Sequence, residues 1–130
     1  MKLFKKAIEE EFVIIAISAN YTMNVENNRV MVSLIESCLP SYLELLNPYG
    51  YLIYFRSKKS NSHENAKKLL SGVEKLILTN ERFAEFKVGI NEGQVLTEID
   101  WKGRITFAPM GVSINVALEN QKGRKELHTK

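Results

Sequence analysis

The stretch that decides the fold is FAEFKVGINEGQVLTEIDWKGRITFAPMGVSINVALENQ, residues 83–121. It opens with alternating apolar residues, Phe86, Val88 and Ile90, and this alternation predicts a strand with one buried face. A second strand is predicted over residues 94–100. The first half of the stretch therefore predicts two consecutive strands.

The second half of the stretch predicts a hairpin followed by a helix. The sequence Asp100-Trp101-Lys102-Gly103 is typical of a turn, and it leads into a third strand over residues 104–107. Pro109 then interrupts the extended pattern. Residues 114–121 are predicted to form a helix, with Ser113 as its N-cap.

The chain before this stretch predicts three strands and two helices. Residues 12–19, FVIIAISA, are nearly all apolar or β-branched, which is typical of a central strand covered on both faces. Helical spacing of apolar residues appears over 25–39 and 63–78, and shorter strands are predicted at 41–46 and 51–56. The element order is therefore β-α-β-β-α-β, then a hairpin and a helix.

The composition indicates one globular domain without a disulfide. The chain has 130 residues, of which 45% are hydrophobic, enough for a buried core. Its single cysteine, Cys38, cannot form an internal disulfide, and the apolar run at 12–19 is too short to cross a bilayer. We therefore expect a cytoplasmic protein without a membrane span.

The two ends of the chain are basic and are predicted to lie outside the core. Residues 1–11 carry apolar side chains at helical spacing, which predicts an N-terminal amphipathic helix or linker. Residues 12–125 then form the domain, and residues 126–130 form a basic tail. The net charge of +3 is mild, and basic tails are commonly just solvated, so no specific nucleic-acid binding is expected.

Two motifs within residues 83–121 identify a family. One is VGINEGQV, residues 88–95, and the other is G-x-x-x-N-x-A, formed by Gly111, Asn115 and Ala117. Their order and spacing resemble the class III adenylyl/guanylyl cyclase homology domain, and the resemblance covers roughly residues 12–125. It implies an α+β, ferredoxin-like palm with an antiparallel or mixed sheet, helices on one face, and an added hairpin and C-terminal helix.

The resemblance also implies where catalytic metal ions would bind. Active members of the family use two divalent ions, held by two aspartates, to join the 3′-hydroxyl of a nucleotide to its own α-phosphate. The first aspartate position corresponds to Ile17, or to Ala16 if the loop is one residue longer, and the second corresponds to Tyr49 or Tyr51. Apolar and tyrosine side chains do not supply the hard oxygen ligands that Mg²⁺ requires. No metal site and no cofactor are therefore expected.

Other family positions have changed as well. The position of the base-reading lysine falls near Leu45, and a second base-reading position is Ala108. The position of the transition-state arginine is Glu119, whose carboxylate would repel a phosphate. Only Asn115 is retained among the catalytic positions, and an asparagine at a helix start equally suits a hydrogen bond to local backbone.

The sequence thus predicts a catalytically inactive, cyclase-like signalling domain, a pseudoenzyme that acts by binding. One hypothesis is a regulatory module that pairs with a protein partner or a second copy. The candidate interface residues are Tyr49, Tyr51 and Trp101. The other is a metal-independent binder of a purine nucleotide. The candidate ligand-binding residues are Lys102, Arg104, Gly111, Ser113 and Asn115.

An enzymatic alternative stays open. The chain would then be a purine-nucleotide cyclase or nucleotidyltransferase whose Mg²⁺ carboxylates come from a partner chain. The carboxylate of Glu119, where the family has an arginine, argues against it. The resemblance also ends sooner after the last helix than a full cyclase domain does, so a standard two-site homodimer is not expected.

Overall fold

The structure is a computed structural model that describes residues 5–20, 24–46 and 50–129. Its strands and helices are β1 Lys5–Ala19, α1 Val25–Ser37, β2 Tyr42–Leu46, β3 Gly50–Arg56, α2 Ser62–Thr79, β4 Phe86–Asp100, β5 Ile105–Met110, α3 Val112–Glu119 and α4 Arg124–His128. A single 3₁₀ turn, Glu81–Phe83, connects α2 to β4.

The five strands form one antiparallel sheet in the order β2-β3-β1-β4-β5. The first four strands have the order of a ferredoxin-like palm, and β5 is added at one edge. β1 lies at the centre, and its apolar middle section pairs with β3 on one side and β4 on the other. The predicted fold class, an α+β palm with an added hairpin and helix, is confirmed.

The two faces of the sheet carry separate cores. Helices α1 and α2 cover the face that holds Val13, Ile15 and Ile17 of β1, since alternate residues of a strand share a face. Helix α3 covers the opposite face, where Ile14 and Ala16 lie. The expectation of helices on one face is thus right for α1 and α2, while α3 departs from it.

The N-terminal segment is the largest correction to the predicted elements. Over residues 5–11 the predicted helix is wrong, because this segment is the first half of β1 and pairs with residues 94–100 of β4. Residues 1–4 lie outside the described part of the chain. Likewise β4 is one strand of 15 residues where two were predicted, since β1 offers it a continuous partner of the same length.

The C-terminal region differs in smaller ways. Pro109 lies inside β5, which is an edge strand, where the missing N–H of proline is tolerated. Helix α3 has Gly111, not Ser113, as its N-cap residue. The predicted basic tail is instead mostly helix α4, whose Leu127 is 6% exposed and packs into the core under α1 and α2. Lys130 lies outside the described residues.

Candidate functional site

The β1 positions that correspond to the family's first metal-binding aspartate are buried and apolar. Ile17 is 0% exposed and belongs to the core beneath α1 and α2, while Ala16, also 0% exposed, faces α3. Neither position offers an oxygen ligand or an opening to solvent, so these residues do not fit Mg²⁺. Among residues 5–20, 24–46 and 50–129 no group of three His, Cys, Asp or Glu side chains could hold a metal ion.

One of the two candidates for the second aspartate position, Tyr51, is also part of the core. Tyr51 pairs with Ile17 across β1 and β3, and its side chain is buried. Its hydroxyl donates a hydrogen bond to Oδ1 of Asn28 on α1, and burial raises the pKa of the phenol. The predicted interface role of Tyr51 is therefore wrong, because the ring is inaccessible. Tyr49 lies outside the described residues.

Another tyrosine of β3 is equally inaccessible to a nucleotide base. Tyr54 lies on the α3 face of the sheet and is 0% exposed. Its ring contacts that of Phe12 edge to face at 6.1 Å, and its hydroxyl donates to Oε1 of Glu44 at 3.2 Å. Burial, with a smaller contribution from Glu44, raises its pKa. The aromatic residues of β3 therefore pack the domain.

The VGINEGQV motif has a packing function in this chain. A Cβ atom on Gly89 would lie 2.4 Å from the carbonyl oxygen of Ala117, and one on Gly93 would lie 2.3 Å from Oγ of Ser113. Between the two glycines, Nδ2 of Asn91 donates to the carbonyl of Ser113 at 2.9 Å. The glycines let α3 lie directly on β4, so the motif and the helix after it form one packed unit.

Two positions that the family resemblance singled out, Asn115 and Glu119, lie on the outside of this unit. Asn115 and Glu119 are both exposed and are separated by one helical turn, so they lie on the same side of α3. Glu119 lines a shallow cavity of about 510 Å³ between α2, β4 and the end of α3. A carboxylate on this side of α3 opposes the binding of a phosphate.

The five predicted ligand-binding residues do not come together. Ser113 packs on Gly93, whereas Lys102 follows Asp100, the last residue of β4. Positions 93 and 100 are seven residues apart on one strand, a separation of about 23 Å. Gly111 and Asn115 flank Ser113 around the start of α3, and Arg104 is next to Lys102 in the hairpin. One small ligand therefore cannot contact both groups, and the predicted combined site is wrong.

The tip of the β4–β5 hairpin is held by one carboxylate. Oδ1 of Asp100 accepts the backbone N–H groups of Lys102 and Arg104, both at 2.9 Å, and Oδ2 accepts Nε of Arg104 at 2.8 Å. The backbone hydrogen bond from Arg104 is the main reason that the pKa of Asp100 is lowered. Gly103 has a φ of 79°, which suits glycine. The predicted turn is confirmed, and Trp101 is 70% exposed at its tip.

The residue pattern did not predict the apolar surface that lies on this hairpin. Leu96, Phe107 and Met110 are 41%, 59% and 54% exposed, and they line one small cavity of about 220 Å³. We call these three residues the arm patch. Ile99 pairs with Ile105, but Glu98 pairs with Phe107, so a β-bulge turns Phe107 to the opposite face of the hairpin from Ile105. No residue pattern in 104–110 signals that bulge.

These elements define a class of domain: a ferredoxin-like palm that is extended by a hairpin and a helix. No protein-family model and no curated protein sequence matches the chain. Solved structures do match it, and several of them are nucleotide cyclases. The catalytic core of a rhodopsin-guanylyl cyclase with converted specificity, in complex with ATPαS, is 15% identical, with a TM-score of 0.64, over 92% of this chain and 77% of that chain.

Two further cyclases show the same similarity. A dimeric guanylyl cyclase domain of the RhoGC fusion protein from the aquatic fungus Blastocladiella emersonii is 14% identical, with a TM-score of 0.62, over 93% of this chain and 80% of that one. A bacterial light-regulated adenylyl cyclase is 12% identical, with a TM-score of 0.56, and this chain spans 88% of its own length and 40% of that chain. The chain has the fold of a nucleotide cyclase catalytic domain.

The helices give no sign of a membrane-crossing segment. Within the described ranges, none of them is both long enough and apolar enough to span a bilayer.

Proposed function

We propose that this chain is a cyclase-like domain without cyclase activity of its own, and that it acts as a regulatory module by pairing with a second copy of itself. The arm patch is the observation that carries this proposal. Ile17 and Tyr51 are both buried, and neither side chain carries a carboxylate for a metal ion, which supports the lack of turnover.

The position of the arm patch suits a symmetric contact. Phe107 and Met110 lie on β5, an edge strand, beyond the part of the sheet that α1 and α2 cover. Neighbouring exposed apolar side chains mark contact surfaces more often than scattered ones do. A two-fold axis through such a patch places the same residues against each other in both copies. One similar guanylyl cyclase domain has been solved both as a non-canonical dimer and as a monomer, so the similarity is compatible with pairing without requiring it.

We expect the wild-type chain to sediment as a dimer at about 0.1 mM, a concentration at which a micromolar dimer is mostly formed. The double variant Phe107→Asp with Met110→Asp should weaken the dimer at least about a hundredfold, because it places carboxylates in an apolar contact. Sedimentation equilibrium measures both states. Val25→Asp, at a more exposed apolar position in the first turn of α1, is the control and should leave the dimer intact. A monomeric wild type, or equal effects of both variants, would contradict the pairing.

The lack of activity is tested separately. The purified chain, incubated with ATP or GTP and Mn²⁺ or Mg²⁺, is expected to form no cyclic nucleotide above the rate without protein, because Ile17 and Tyr51 cannot hold the metal ions. Chromatography of the products measures this. Cyclic nucleotide formation that scales with protein concentration would instead favour the alternative, an enzyme completed by ligands from another chain.

A further inference from the structure

A basic cavity lies toward the opposite end of the sheet from Ile17 and Tyr51. It has a volume of about 470 Å³, and its walls include Arg56, Lys59, Lys102 and Arg104. None of the described residues that line it is acidic. Arg56 pairs with Phe12, near the middle of β1, whereas Ile17 lies near the C-terminal end of that strand. The cavity is therefore distinct from the site that the family resemblance implied.

One wall of the cavity is fixed by backbone hydrogen bonds. The backbone N–H of Arg56 donates to Oγ of Ser41 at 3.0 Å, and the N–H of Ser41 donates to the carbonyl of Tyr54 at 2.8 Å. The N–H of Lys59 donates to the carbonyl of Arg56 at 3.0 Å. The other wall is the hairpin tip that Asp100 holds. Both walls are therefore in place before any ligand arrives, which reduces the entropic cost of binding.

The two arginines of the cavity already have acidic partners. Nε of Arg104 lies 2.8 Å from Oδ2 of Asp100, and Nε of Arg56 lies 3.0 Å from Oε2 of Glu10, whose side chain is 6% exposed. The contact between Arg56 and Glu10 is close, yet it lacks hydrogen-bond geometry, so we regard it as an ion pair only. Glu10 also lies 3.6 Å from Nζ of Lys58.

The two lysines of the cavity are not neutralised in this way. Within the described residues, neither Lys59 nor Lys102 forms an ion pair. Nζ of Lys102 lies 4.9 Å from the centroid of the Trp101 ring, a contact that orients the ammonium group but leaves its charge uncompensated. The cavity thus has two ammonium groups with no counter-charge, in addition to the two paired guanidinium groups.

We infer that this cavity binds a small anion through a phosphate or diphosphate group, without a metal ion. Its volume falls in the usual range for small-molecule sites, about 300 to 1,000 Å³. Lysine ammonium groups bind phosphate as point charges, and arginine adds directed N–H donors. The inference goes beyond the pairing proposed above, because Ile105 of the cavity lies on the opposite face of the hairpin from Phe107 of the arm patch.

Titration calorimetry of the full chain with inorganic pyrophosphate tests the inference. At low ionic strength, about 50 mM salt, we expect one site per chain with a Kd of about 0.1 mM or tighter. Lys59→Gln with Lys102→Gln should weaken binding at least about tenfold. The matched control is Lys67→Gln with Lys75→Gln, which removes the same charge from exposed positions on α2 and should change Kd by less than about twofold.

Two results would overturn the inference. One is the absence of binding to the wild type, and the other is equal weakening by both double variants, which would indicate only a general effect of net charge. A second titration with ADP distinguishes the sources of the phosphate. Tighter binding of ADP than of pyrophosphate supports a nucleotide as the ligand. Equal affinities support recognition of the phosphate groups alone.

Discussion

Replacing Ile17, one of the two positions that correspond to the family's first aspartate, with aspartate is expected to unfold most of the protein and to create no metal site. The side chain is 0% exposed, in the core beneath α1 and α2. The substitution removes a buried aliphatic group, which costs about 2 to 5 kcal/mol, and buries an unpaired carboxyl group, which costs several more. The sum is comparable with the whole stability of a small domain, about 5 to 15 kcal/mol.

Urea unfolding followed by circular dichroism measures this loss. Ile17→Val is the control, because it keeps the position apolar and should cost only about 1 kcal/mol. The buried carboxyl group should remain protonated at neutral pH, since burial raises the pKa of an acid. An aspartate variant as stable as the wild type, which also binds Mn²⁺, would contradict the burial of this position and revive the enzymatic alternative.

The core elements could be predicted because their signals are local. The apolar run at residues 12–19 forms the middle of β1, and the helical periodicity before Cys38 and after His63 forms α1 and α2. Asn24, directly before α1, is its N-cap residue, and Oδ1 of Asn24 accepts the backbone N–H of Asn27 at 2.7 Å. Cys38, the C-cap residue of α1, is buried. Such features depend on neighbours within one or two turns of the chain.

The N-terminal half of β1 could not be predicted in that way. Residues 5–11, KKAIEEE, have no strand signal of their own, and their lysines and glutamates favour a helix. They become a strand because residues 94–100 of β4 pair with them, far away in sequence. Glu10 shows the consequence, since it is buried beside Arg56 although its residue type is usually exposed. Long-range pairing overrides local propensity here.

The candidate site could be predicted from the sequence only in part, for a related reason. The family positions could be assigned by spacing, but the face of the sheet on which each lies depends on strand register. Register places Tyr51 beside Ile17 in the core and so excludes the predicted contact surface there. It also separates Lys102 from Ser113 along β4. The basic cavity was missed because Arg56 and Lys59 lie more than forty residues before the hairpin that completes it.

Replacing Gly89 with alanine is expected to destabilise the domain by about 3 kcal/mol and to loosen α3. The added Cβ would lie 2.4 Å from the carbonyl oxygen of Ala117 and 2.7 Å from the backbone nitrogen of Gln121. Both are backbone atoms, so no rotation of a side chain can relieve the contact, and the C-terminal half of α3 must move away from β4. Hydrogen exchange should show lost protection at the amides of α3, and thermal unfolding gives the loss of stability.

Gly72→Ala is the matched control, because it adds the same atom to a different environment. At this position in α2 the new Cβ would approach only the side chain of Leu34, at 3.1 Å, and that side chain can shift. Alanine also favours a helix interior over glycine by about 1 kcal/mol, so the variant should remain within about 1 kcal/mol of the wild type. Equal stability of both variants would mean that α3 does not rest on β4. A loss confined to Gly89→Ala would show that the missing side chain at position 89 is what allows α3 to pack against β4.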